Sequence, residues 1–180
     1  MPDEQLIFKP VVEALFVHGL RDKMTPTFRK HLETKGLKLD HLLPGYAYAL
    51  WQDLIVDAVQ LFPELHRSEA LAELGRRLSQ SSIDRSPGAS TLLPLLRLLG
   101  TTKGLKRALK ANSGENFNKV SFTNESPRSV DVTMSFVGTI PEFARGTMFP
   151  LMSALGAKNG RCSILAYEAP QATYRLEWDS

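Results

Sequence analysis

A nearly uncharged helix between two pairs of strands narrows the fold of this 180-residue chain more than any other feature. From Pro141 to Leu155 the only charges are Glu142 and Arg145, while Phe143, Met148, Phe149, Leu151, Met152 and Leu155 spread over most of the helix. A helix without a wide polar face must be covered by other elements. Strand-like alternation flanks it on both sides. Val120 and Phe122 alternate with Lys119, Ser121 and Thr123, and Val130, Val132, Met134 and Phe136 alternate with Asp131, Thr133 and Ser135. After the helix, Cys162, Ile164 and Ala166 alternate, then Tyr174, Leu176 and Trp178. Four such runs predict a sheet with one buried and one solvated face, the habit of antiparallel sheets. Asn124–Pro127 and Pro170–Gln171 supply turn residues for two hairpins.

The covering elements must come from the N-terminal part. Residues 1–45 predict broken helices, with Thr25-Pro26 as an N-cap and first-turn pair. From Tyr46, the residues Ala47, Leu50, Trp51, Leu54, Ile55, Ala58 and Phe62 share one face of a helix that stops at Pro63. Ser68 is the expected cap of the next helix, and Ser79–Ala89 reads as a loop that could serve as a lid. Leu92–Leu99, nearly all leucine, predicts a helix packed on more than one side. The expected fold class is therefore α+β, a two-layer α/β arrangement. N-terminal helices pack on one face of a four-stranded, mainly antiparallel sheet with a ββαββ C-terminal half. One domain over 1–180 is expected, with a helical half at 1–111 and the strand half at 116–180.

Charge is unevenly placed. Residues 1–90 hold eleven Lys and Arg against twelve Asp and Glu, and residues 91–180 hold eleven against seven. Arg97, Lys103, Lys106, Arg107 and Lys110 form a candidate anion patch, strengthened if Gly104 opens a helix with free amides. Interleaved exposed aromatics and a nucleic-acid module are missing, which argues against nucleic acid. Gly100–Gly104 lacks the spacing of a phosphate loop.

Catalytic chemistry finds no constellation. Cys162 is the single cysteine, excluding an intrachain disulfide, and its place in a strand predicts a small buried hydrophobe. His66 and Glu69 stand three residues apart but lack a third ligand, so no metal site is expected. A Gly-x-Ser-x-Gly elbow does not occur. Met1–Phe8 has two acids and no basic region, and no apolar run is long enough to span a bilayer, so a cytoplasmic protein without a membrane span is expected.

A resemblance covers nearly the whole chain. Leu15-Phe-Val-His-Gly-Leu20, Trp51, Leu61-Phe-Pro63, Glu69-Ala70, Leu74-Gly-Arg-Arg77, Leu98-Leu-Gly100, Gly146 and Leu155-Gly-Ala157 resemble, in order and spacing, an expanded paralogous family of unknown function found in myxobacteria. More distantly, helices followed by strand–strand–helix–strand–strand are similar to haem–nitric-oxide-binding, four-vinyl-reductase and TRAPP-subunit domains. Those relatives enclose small molecules or acyl chains between helices and sheet. A haem-binding relative needs a proximal His on the helix before the sheet and a Tyr-x-Ser-x-Arg strand motif. Residues 92–111 contain no His, and Thr133-Met-Ser-Phe-Val137 lacks both Tyr and Arg. The resemblance therefore implies no cofactor, and argues against haem.

The function expected from these pieces is a non-enzymatic sensory or regulatory module, of the kind used in signalling, that binds an apolar or amphipathic small ligand. The candidate pocket is Trp51, Ile55, Met134, Phe136, Phe143, Phe149 and Met152, chosen for soft and aromatic side chains facing the helix–sheet gap. The competing expectation is a protein-interaction or homodimerisation module without a small ligand, using strand Thr173–Trp178 as an exposed edge.

Overall fold

The computed structural model describes residues 5–111, 119–135 and 137–179. The alternating runs form one sheet of β3 (Val120–Ser126), β4 (Ser129–Met134), β5 (Lys158–Glu168) and β6 (Gln171–Asp179), in the order β3-β4-β6-β5. Every neighbouring pair is antiparallel, with Phe122 opposite Val132, Val132 opposite Tyr174, and Cys162 opposite Leu176. Val130, Val132, Cys162, Tyr174, Leu176 and Trp178 are buried on the inner face. The expected α+β fold class is thus the observed one. One detail of the interaction reading is corrected, because β6 is paired on both sides and the sheet edges are β3 and β5. A last strand need not be an edge when a hairpin folds it back into the middle.

Ahead of the sheet come β1 (Leu6–Phe8), α1 (Lys9–Val12) running into a π-helical stretch at Glu13–Gly19, and α2 (Pro26–Thr34). Then follow β2 (Gly45–Ala47), α3 (Tyr48–Ala58), α4 (Arg67–Arg85), α5 (Ala89–Leu98) and α6 (Thr101–Ala111). The Thr25 cap forms as its sequence predicts, with the Phe28 N–H donating to Thr25 Oγ1 at 3.1 Å. A small antiparallel β1–β2 pair, joined across α1 and α2 with Ile7 opposite Tyr46, interrupts what the sequence suggests is all helical.

Two expectations about α4 are corrected. Its N-cap is His66 rather than Ser68, and the His66 N–H donates to Glu69 Oε2 at 3.3 Å. Ser79–Arg85 is helix and not loop, supported by Gln80 Nε2 donating to Asp84 Oδ1 at 2.8 Å. The helix stops where Pro87 forces Ser86 out of helical geometry, at ψ 117°. Only residues 86–88 then separate α4 from α5.

The uncharged helix is α7 (Pro141–Ala154). It lies against the sheet on one side and α4 on the other, and its apolar residues divide between two cores. Phe143 joins the N-terminal cluster of Leu15, Phe16, Trp51, Ile55 and Leu74. Met148 and Met152 join the sheet cluster with Val132, Tyr174 and Leu176. Tyr174 Oη donates to the Pro141 carbonyl at 2.9 Å, tying the sheet to the first turn of α7.

On the outer face Asp131 is only 3 % exposed, because Arg175 forks onto it with contacts of 2.8 and 2.9 Å and Asn124 Nδ2 donates at 2.7 Å. The Arg175 guanidinium holds the Asp131 carboxyl below the ordinary carboxylate range, against the opposing effect of burial and with Asn124 assisting. The folded state therefore resists protonating this group, and its contribution is present above the ordinary carboxylate value and lost as pH falls through the depressed folded value. Thermal melts from neutral pH downward should show Tm falling below about pH 4. Asp131→Asn should flatten part of that fall. An identical acid profile in the two proteins would remove Asp131 as a source of acid sensitivity.

Candidate functional site

The cavity forms where α4, α5, α6 and α7 meet the β3–β4 end of the sheet. Helical spacing brings Leu78 and Ser82, and Ser79 and Ile83, to one side of α4; Met148 and Leu151 face it from α7. Leu92, Leu93 and Leu96 close it from α5, Ala108 and Leu109 from α6. Val120 and Met134, register partners on β3 and β4, complete the wall. Its volume is about 590 Å³ and its wall is mostly apolar, within the range of small-molecule sites. A second cleft of about 420 Å³ adjoins it, sharing Val11, Ser82 and Ser86 and adding Glu13, His18 and Arg85. His18 Nε2 is buried there without a hydrogen-bond partner, 3.7 Å from Glu13 Oε1.

The candidate pocket residues do not converge on this cavity. Met134 lines it. Trp51, Ile55 and Phe143 are packed in the N-terminal core, with Trp51 edge-on to Phe143 at 6.1 Å between ring centroids. Met152 is buried in the sheet core and Phe149 is half-buried against it. Phe136 lies outside the described residues. The cavity-forming leucines of α5 and the small residues of α4 carry no chemical signature in sequence. Their one legible trace is a leucine run too apolar to be solvated on all sides.

The basic patch is partly occupied by internal contacts. Arg97 Nε donates to the Ala154 carbonyl at 2.5 Å, and Lys106 Nζ donates to Glu125 Oε1 at 2.6 Å. Lys106 and Lys110 stand over the Phe122 ring. Lys103 and Arg107 are exposed on α6. The expected free amides at Gly104 are corrected, because α6 begins at Thr101 and the Gly104 N–H donates to the Gly100 carbonyl at 2.9 Å.

Cys162 is buried, which pushes its thiol up to about 12 and keeps it protonated at neutral pH. No group of three His, Cys, Asp or Glu side chains is placed to hold a metal ion among the described residues. No helix among them is long and apolar enough to cross a membrane.

Comparison with known proteins places the fold in a class. An H-NOX protein from S. oneidensis in the Fe(II) ligation state superposes with TM-score 0.69, at 12 % identity and 97 % coverage of both chains. An unliganded Fe(II) H-NOX mutant from K. algicida gives 0.62 at 11 % identity, covering 96 % of this chain and 97 % of that one. An oxygen-binding H-NOX domain related to soluble guanylate cyclases gives 0.63 at 10 % identity, covering 96 % of each. At these identities the likeness is one of fold, an H-NOX-like α+β architecture. The chain belongs to the family described as protein of unknown function (DUF2378), whose model matches residues 5–179. No curated protein matches the sequence.

These neighbours overturn the expectation of no cofactor. The same fold, over nearly the full chain, is that of proteins described by their Fe(II) state or heme distortion. The sequence argument tested one way of holding haem, through a His and a Tyr-x-Ser-x-Arg motif, and did not test the cavity. The cavity has an apolar wall, and Met134 and Met148 on it offer thioethers, which ligate haem iron beside a His in cytochromes c; among the described residues no His lines this cavity. Arg85 in the adjoining cleft is a cation suited to a propionate.

Proposed function

We propose that this chain is a non-enzymatic sensory or regulatory module whose ligand is an apolar or amphipathic small molecule held in the cavity between α4, α5, α6, α7 and the β3–β4 end. The observation that carries this reading is the cavity of about 590 Å³ with its largely aliphatic wall. A concave, largely aliphatic cleft of that size is the shape in which small molecules are held, through buried contact with its wall. The likeness of fold to H-NOX proteins supports the same reading. Haem, when bound, supplies an iron that coordinates a small gas. The residues of this chain would exclude water from it through Leu93, Leu109 and Leu151, and place donors at Met134 and Met148.

Titration of the purified protein with haem, followed by the Soret band, and with a fluorescent long-chain fatty acid tests the proposal and separates the two ligand chemistries. Saturable one-to-one binding of either is expected. Leu151→Trp, which fills the cavity, should weaken that binding by about tenfold or more while the protein stays folded, since a drug-sized ligand is held mainly by buried contact. Absence of saturable binding for both ligands, or unchanged binding in the filled variant, would sink the reading.

A further inference from the structure

Helix α5 is the least covered apolar element. Of its leucines only Leu96 is buried, and Leu93 is half-buried against the sheet core. Leu92, Leu95, Leu98 and the adjoining Leu99 are 51, 56, 84 and 40 % exposed. The sequence predicts a helix packed on more than one side, and the structure corrects this, because α5 meets the body along a narrow strip. Leu92, Leu95 and Leu99 are spaced to share one face, with Leu98 one turn beyond Leu95. Scattered exposed leucines need no explanation, but four on eleven residues form a contiguous apolar surface.

The charge around this surface identifies its partner. Residues 86–111 contain Arg97, Lys103, Lys106, Arg107 and Lys110 and no acid. Lys103 and Arg107, on the first two turns of α6, are exposed and close in sequence to Leu98 and Leu99. A short helix with apolar residues beside a basic flank is the composition of an element that lies in a membrane interface.

We propose that α5 and the first turns of α6 dock this protein on an anionic lipid surface. Leu95 and Leu98 enter the headgroup boundary, and Lys103 and Arg107 meet the lipid phosphates. A second copy of the chain is the weaker candidate, because a two-fold contact through α5 would bring two acid-free basic segments face to face. An anionic bilayer supplies the opposite sign. The inference rests on the exposed surface and does not depend on the cavity being a ligand site.

The test is flotation of the full chain with vesicles of phosphatidylcholine alone, or with about 30 % phosphatidylglycerol added as the anionic component. Binding is expected on the anionic vesicles, to fall steeply with added salt, and to be about tenfold or more weaker on neutral ones. Leu95→Glu with Leu98→Glu, and separately Lys103→Glu with Arg107→Glu, should each lower it by about tenfold with Tm unchanged, since these side chains are exposed. Equal binding to both vesicles, no binding to either, or variants that bind like the parent would overturn the proposal. So would a dimer in light scattering that the double Leu→Glu variant converts to monomer, which would assign the leucines to self-association.

Discussion

Replacing Gly146 with alanine is expected to destabilise the fold by about 3 kcal/mol, near the top of the usual cost of overpacking an interior. A methyl carbon at Gly146 would stand 1.9 Å from the Ala72 carbonyl oxygen on α4. Across the same crossing, a methyl carbon at Gly75 would stand 1.9 Å from the Phe143 carbonyl oxygen on α7. Both obstacles are backbone, so no side chain can swing aside, and the two helices must separate along their length. Urea denaturation should show a lower midpoint with an unchanged slope. Gly75→Ala should act alike, and the double variant should cost less than the sum, because one separation accommodates both methyls. A Gly146→Ala protein within about 0.5 kcal/mol of the parent would refute so close a crossing.

Trp51→Ala is expected to cost about 4 kcal/mol, as truncation of a large buried aromatic does. Trp51 is 3 % exposed and sits edge-on between Phe16 at 5.9 Å and Phe143 at 6.1 Å between ring centroids. It bridges the N-terminal helices to α7, so its loss opens a cavity at the junction of three elements. If Trp51 instead lined an open ligand pocket, its truncation would enlarge existing space and cost far less. Urea denaturation of Trp51→Ala therefore decides whether Trp51 fills a core or borders a site. A loss below about 1 kcal/mol would favour the second.

Much of the sheet half was legible because period-two alternation survives in sequence wherever one face is buried. Val130, Val132, Tyr174 and Leu176 all point inward as their spacing requires. The Ser79–Arg85 segment reads as loop in the sequence because Ser and Asp favour loops, whereas here it extends a helix that also carries the buried Leu71 and Leu74. The β1–β2 pair has three residues per strand, too few for alternation to show. The words Gly75 and Gly146 were visible as part of a family pattern, but their reason is a tertiary approach that only coordinates reveal. The site was least legible of all. Whether Trp51, Ile55 and Phe143 fill or line depends on what faces them, and aliphatic lining such as Leu92 or Leu151 looks like any core residue. The cofactor expectation failed for a related reason, since a missing motif says nothing of other donors brought near a cavity by folding.

The glycine crossing has a mechanical consequence for the molecule. Carbonyl-to-glycine contact in both directions holds α4 and α7 at a close crossing with no room for a side chain between them, so they form the fixed wall of the cavity. Opposite them across the cavity, α5 is anchored through Leu96 and Leu93 and, at its C-terminal end, by the Arg97 bond to the Ala154 carbonyl. The chamber therefore has one fixed jaw and one compliant jaw. An occupant larger than the empty space would displace the compliant jaw, and that jaw is the helix carrying Leu95 and Leu98 on its outside. What fills the interior and what the surface presents are thus linked through ten residues of helix.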